Sequence, residues 1–156
     1  MFLYRVCDAL EAAGVAHAIA GGYAVALHGA VRGTIDVDLV IRLRRRDFEA
    51  AETALKGLGL QPRLPVPAAE VFAFREEFIA RRNLVAWSFT NPANPLEVVD
   101  ILITEDLARC KVSHIAAAGR TLRVVSKADL IRMKTRAGRP QDLEDVAALA
   151  RLRRRR

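Results

Sequence analysis

Two aspartates stand two residues apart in the run Thr34-Ile35-Asp36-Val37-Asp38-Leu39-Val40-Ile41, shortly after a Gly21-Gly22 pair. The run is β-branched and apolar and reads as a buried strand, where carboxylates are costly. Alternation along a strand puts Asp36 and Asp38 on one face, about 6–7 Å apart. Two like charges on a buried face repel unless something positive lies between them. A divalent metal is the simplest answer, and Mg²⁺ in particular binds through one or two carboxylates together with phosphate oxygens. A third anomaly, Asp100, interrupts the apolar run Val98-Val99-Asp100-Ile101-Leu102. On a neighbouring strand it would complete a cluster of three carboxylates. Such a cluster can hold one or two ions and leave an oxygen to take a proton from an attacking hydroxyl. Alone, Asp100 could equally bond a backbone group or an arginine; beside Asp36 and Asp38 the metal reading is favoured.

Other residues carry chemistry only in company. Gly21-Gly22 ends a strand and opens a helix, where backbone N–H groups meet the positive helix pole and no Cβ blocks a triphosphate. By itself the pair is an ordinary turn signal. Lys134 shares a helix face with Leu130 and Ile131, so its ammonium points toward the fold and needs an anion, unless its stem carries the charge out to solvent. Arg32 and Arg139 could equally clamp phosphates or serve surface roles, and Thr34 could position Asp36 or a phosphate. Asp142 and Asp145 could order Lys134 and Arg139, or serve as helix-start charges. His17 and His114 have no metal-spaced companion, and His28, which could touch nucleotide, reads rather as a packed or edge histidine. Trp87 and Phe89 read as core.

These residues need a framework. Leu3, Val6, Leu10 and Ala13 recur at helical spacing, and Gly14 closes that helix. Residues 15–20 read as a short strand, 23–31 as a helix and 36–41 as the next strand. Asp47 opens a helix with Phe48, Ala51, Leu55 and Leu58 on one face. The proline-rich residues 61–67 carry no readable period. Residues 81–90 alternate as a strand, 91–95 form a turn, and 96–103 return as the second arm of an antiparallel hairpin. Residues 120–125 form a further strand. Ser126 caps a helix that stops at Gly138, and Pro140 starts the last helix, which runs into an arginine tail. The expectation is a mixed α/β fold, with one mixed sheet flanked by helices. Residues 1–125 form its core, and 126–156 a C-terminal helical segment packed on that core as part of a single compact domain.

Composition sets the bounds. With 156 residues, 52% of them hydrophobic, the chain suits one domain with a proper core. No apolar run reaches membrane-spanning length and no charged-then-apolar leader opens the chain, so a cytoplasmic protein without a membrane partner is expected. Cys7 and Cys110 lack metal-type spacing and read as buried thiols. A net charge of +7 and a pI of about 10.2 favour anionic partners such as nucleic acid. The terminal Arg153-Arg154-Arg155-Arg156 fits that role or a solvated helix end equally well, and aromatics are too sparse for a single-strand stacking platform.

Gly21-Gly22, a helix, Asp36-Val37-Asp38 and a distant Asp100 in an apolar strand resemble the nucleotidyltransferase superfamily typified by DNA polymerase β. The run Gly21-Gly22-Tyr23-Ala24-Val25-Ala26-Leu27-His28-Gly29 with Arg32, Thr34, Asp36 and Asp38 is most similar to its minimal branch. That branch includes the AbiEii-like nucleotidyltransferase toxins of abortive-infection toxin–antitoxin systems, and residues 134–145 are similar to it too. The resemblance covers residues 15–41, 96–103 and 126–150. It implies transfer of NMP from an NTP to an acceptor hydroxyl with release of pyrophosphate. Asp36, Asp38 and Asp100 would then bind Mg²⁺ (two ions, or Mn²⁺ in its place) and act in catalysis with Lys134. Gly21, Gly22, Arg32, Thr34, Lys134 and Arg139 would bind nucleotide. The leading expectation is a toxin-type enzyme acting on RNA such as tRNA, with a cognate antitoxin. The alternatives are a small-molecule (antibiotic) or protein nucleotidyltransferase and a non-catalytic nucleotide- or RNA-binding module.

Overall fold

The structure is a computed structural model and describes residues 1–153. Its elements, in chain order, are α1 (Phe2–Ala12), β1 (His17–Ala20), α2 (Gly21–Leu27), β2 (Val37–Ile41), α3 (Arg45–Gly57), β3 (Gln61–Pro62), α4 (Ala68–Ala73), α5 (Arg75–Arg82), β4 (Ala86–Asn91), β5 (Asn94–Leu102), β6 (Val112–Ala117), β7 (Arg120–Val125), α6 (Lys127–Ala137) and α7 (Pro140–Arg153). The fold is the expected mixed α/β type, a mixed sheet flanked by helices. The chain divides into two units, one made of residues 1–17 and 35–109, the other of 18–34 and 110 onward. No described helix is long and apolar enough to cross a membrane.

The first unit arranges its strands in the order β3-β4-β5-β2. β4 and β5 form the expected antiparallel hairpin, and β2 lies parallel to β5. Alternation sends Trp87 and Phe89 of β4, and Val99 and Ile101 of β5, to the covered face, where all four are fully buried. Trp87 stacks on Phe48 of α3 at 5.3 Å and meets Phe89 edge-on at 4.7 Å. Each such pair adds about 0.5–1.5 kcal/mol beyond the area it buries. α1 buries Leu3, Val6, Cys7 and Leu10 along one stripe.

The second unit pairs β1 parallel to β7 and β7 antiparallel to β6. Ser126 caps α6 by accepting the Asp129 backbone N–H, and Gly138 ends it at φ +67°, as its sequence predicts. Pro140 opens α7. Arg154–Arg156, most of the arginine tail, lie outside the described residues.

Four local expectations are corrected. The helix at 23–31 is instead Gly21–Leu27, because Gly29 turns to φ +113° just beyond it. Asp36 lies in a bend before β2 rather than within the strand. Arg81 and Arg82 belong to the last turn of α5, where cations suit the negative helix pole, and Asn83 at φ +51° ends that helix before β4. Residues 61–67, read as without a period, hold β3 and end in Pro67, the N-cap of α4, and α4 and α5 follow. β6 was not anticipated. Its hairpin to β7 turns on Ala118 and Gly119, both at positive φ, a tight turn without the usual Asn-Gly signal.

Candidate active site

In the first unit, β2 and β5 run side by side with Asp38 opposite Asp100, flanked by the pairs Val37–Val99 and Leu39–Ile101. Residues paired across strands project from the same face, so the two carboxylates point together. Val37, Leu39, Val99 and Ile101 are fully buried, whereas Asp38 and Asp100 are half-buried and Asp36 is exposed. The expectation of carboxylates on a buried face is therefore corrected. The acidic face is the open one, and the strands read as apolar on both sides because their other residues fill the core. Ser88 of β4 pairs with Asp100 on the other flank and donates its hydroxyl to Asp100 Oδ1 at 2.5 Å.

Partial burial raises the Asp36 pKa above the ordinary carboxylate value, the charge of Asp100 raises it further, and the Arg63 guanidinium opposes both. Asp100 thus weighs more on Asp36 than the opposing charge of Arg63 does. Among the described residues no group of three or more His, Cys, Asp or Glu side chains stands as a ready-made metal cage. The donor set is all hard oxygen, which fits a cation such as Mg²⁺ that takes few protein ligands and completes its shell from water and phosphate.

The second unit holds the remaining predicted residues. Gly21 opens α2 at φ +61°, a conformation glycine adopts at no steric cost. Gly22 is needed for packing: a Cβ there would lie 2.7 Å from Thr34 Oγ1 and 3.4 Å from the Arg32 guanidinium carbon. Arg32 Nε donates to Asp145 Oδ1 at 3.0 Å, and its Nη1 donates to the Gly33 carbonyl. Lys134 is buried, as its helix face predicts, with Nζ 2.8 Å from Asp145 Oδ2 and 3.6 Å from Asp142 Oδ1. Arg139 Nε donates to Asp142 Oδ2 at 2.7 Å, and its backbone N–H reaches the same oxygen at 3.1 Å, which caps α7. Gln141 donates to Asp145 at 3.1 Å. The anion Lys134 requires is therefore supplied by the protein, by the two aspartates the sequence singled out.

Burial acts to raise Asp142 and Asp145. In Asp142 the hydrogen bond and charge of Arg139 outweigh it, and in Asp145 those of Lys134 do, with Gln141 and Arg32 adding to the effect. Both end below the ordinary carboxylate value. His28 is packed as expected, bonded through Nε2 to the Val125 carbonyl at 2.8 Å. Ser88 and Arg63 were missed by the sequence reading. The signal for Ser88 was its place in an alternating strand facing the acidic strand, visible only once the hairpin register is known.

No protein-family model matches the chain, and no curated protein matches it by sequence. Its fold is similar to several solved structures. The antibiotic-resistance factor ANT(2'')-Ia matches with a TM-score of 0.65 at 15% identity, over 95% of this chain and 80% of that one. The lincosamide antibiotic adenylyltransferase LnuA in its lincomycin-bound form matches with a TM-score of 0.66 at 13% identity, over 97% and 96%. An antigenic nucleotidyltransferase-like protein from Paracoccidioides brasiliensis matches with a TM-score of 0.58 at 18% identity, over 97% and 75%. The chain therefore has the nucleotidyltransferase fold.

Proposed function

We propose that this protein is a nucleotidyltransferase that moves NMP from an NTP to an acceptor hydroxyl and releases pyrophosphate. The observation that carries this reading is the register pairing of Asp38 with Asp100 on the open face of β2 and β5, with Asp36 next to it under Asp100's charge. Asp36, Asp38 and Asp100 would hold Mg²⁺ or Mn²⁺, which when bound neutralises charge on the phosphates and in the transition state. Asp100 takes the proton of the acceptor hydroxyl as its oxygen attacks the α-phosphorus and the bond to the β-phosphate oxygen breaks. Ser88 occupies Asp100 Oδ1 and so leaves Oδ2 for that task. In the second unit, Gly21, Gly22, Arg32, Thr34 and Arg139 serve the triphosphate, and Lys134 sets the Asp142–Asp145 pair that orders the two arginines.

The acceptor proposed first is RNA such as tRNA, in a toxin-type system with a cognate antitoxin. The net charge of +7 supports it. A small-molecule acceptor is the second reading, favoured by the near-complete overlap with LnuA and by ANT(2'')-Ia, solved with adenylyl-2''-tobramycin. The test is incubation with each α-labelled NTP and Mg²⁺ against total RNA, tobramycin and lincomycin in separate reactions. Wild-type protein should transfer label, and Asp38→Asn should lose on the order of 10²–10³-fold, the scale of removing one electrostatic stabiliser. Equal transfer by the folded variant would sink the mechanism. Label in an antibiotic but not in RNA would establish the second reading.

A further inference from the structure

Three strands of the first unit, and the bend that follows β3, each bring one residue to a single row. Asp38 of β2 is opposite Asp100 of β5, and Asp100 is opposite Ser88 of β4. β3 extends the row: Gln61 and Pro62 pair with Thr90 and Phe89, and the next residue, Arg63, donates its backbone N–H to the Ser88 carbonyl at 2.9 Å. Residues directly opposite one another across strands share a face. Ser88, Asp100 and Asp38 therefore project to the same side, and the Arg63 backbone borders their row at Ser88. Neighbouring strands lie about 4.8 Å apart, so the Arg63 backbone is roughly 10 Å from that of Asp100. An extended arginine spans most of that gap.

Arg63 differs from the other arginines considered for this protein. Arg32 and Arg139 are held by Asp145 and Asp142. Arg63 is exposed, and among the described residues no carboxylate lies within ion-pair distance of it. Ser88 stands between Arg63 and Asp100 and occupies one oxygen of that carboxylate, so the opposite charges are spaced apart rather than paired.

We infer that Arg63 binds a phosphate group of the acceptor strand, beside the carboxylate that receives the acceptor's proton. The inference rests on the nucleotidyltransferase reading and deepens it by selecting an acceptor of one charge. A guanidinium matches a phosphodiester bidentately. A cation at this edge repels a polycationic aminoglycoside and attracts RNA.

The test compares wild type with Arg63→Gln and Arg63→Lys, measuring affinity for fluorescein-labelled tRNA by anisotropy and for a fluorescent ribose-labelled ATP. Neither assay requires turnover, so failure here is separable from failure of NMP transfer. Arg63→Gln should bind tRNA several-fold more weakly, with a slope of log affinity against log salt smaller by about 0.7–0.9, and should bind nucleotide as wild type does. Arg63→Lys should keep the salt slope and lose only part of the affinity. Unchanged tRNA binding in Arg63→Gln, or a wild type that does not bind tRNA, would overturn the inference. So would a loss confined to nucleotide, which would assign Arg63 to the NTP phosphates instead.

Discussion

Asp36 in the first unit and Asp142 and Asp145 in the second have opposite electrostatic fates. Burial and a neighbouring carboxylate hold Asp36 above its ordinary pKa. In Asp142 and Asp145 burial acts in the same direction, but Arg139, Lys134, Gln141 and Arg32 overcome it and hold them below. The second set is a completed network, in which each acid has a cation and a hydrogen-bond donor supplied by the chain. In the first set the neighbouring carboxylate of Asp100 weighs more on Asp36 than Arg63 does. Structural networks and functional sites both perturb pKa values, and the direction of the shift separates them here. The set in which two carboxylates act on each other is the better candidate for binding a cation.

The largest effect should come from breaking the completed network. Lys134→Ala leaves two buried carboxylates short of a cation and should cost about 3–5 kcal/mol. For a chain of this size that lowers the melting temperature by on the order of 10 °C, read by circular dichroism or calorimetry. A variant as stable as wild type would remove the contrast between the two sets.

A smaller effect, in function rather than stability, is expected from Ser88→Ala. Hydrogen bonds behind metal-ligating carboxylates typically matter by about 10–100-fold in metal affinity or activity. Mn²⁺ affinity measured by electron paramagnetic resonance should fall within that range, Ser88→Thr should restore most of it, and melting should barely change. A loss of stability without a change in Mn²⁺ affinity would make Ser88 part of the framework only.

The smallest effect is one of sign. An acid whose folded pKa is raised contributes stability below its unfolded value, and that contribution is lost as pH rises through the folded value. Without metal, Asp36→Asn should therefore be at least as stable as wild type at pH 7, with the advantage vanishing in acid. An acid whose folded pKa is lowered contributes stability above its unfolded value and loses it as pH falls through the folded value. Asp145→Asn should be less stable at pH 7, and its deficit should shrink toward pH 3. Urea midpoints across pH 3–8 in EDTA would show both, and the same sign for the two variants would defeat the comparison.

Elements whose signals are local were legible in the sequence. The Ser126 cap, the Gly138 stop, Pro140 at the start of α7 and the stripe Leu3, Val6, Leu10 depend on neighbouring residues along one helix, and each stands where its spacing puts it. The oddness of Asp36, Asp38, Asp100 and Lys134 was also legible, because a charge among apolar residues is conspicuous in any fold. What each anomaly faces depends on long-range packing. Register between strands is a long-range property, and a shift of one residue would have turned Asp100 to the opposite face. Register pairs Asp38 with Asp100, and it brings Ser88 and Arg63, neither conspicuous in the sequence, into the same row. Tertiary contacts likewise gave Lys134 its anions in Asp142 and Asp145, and gave Gly22 its need for a missing Cβ beneath Thr34. Local chemistry marks which residues are costly to bury; only packing determines which partner offsets that cost.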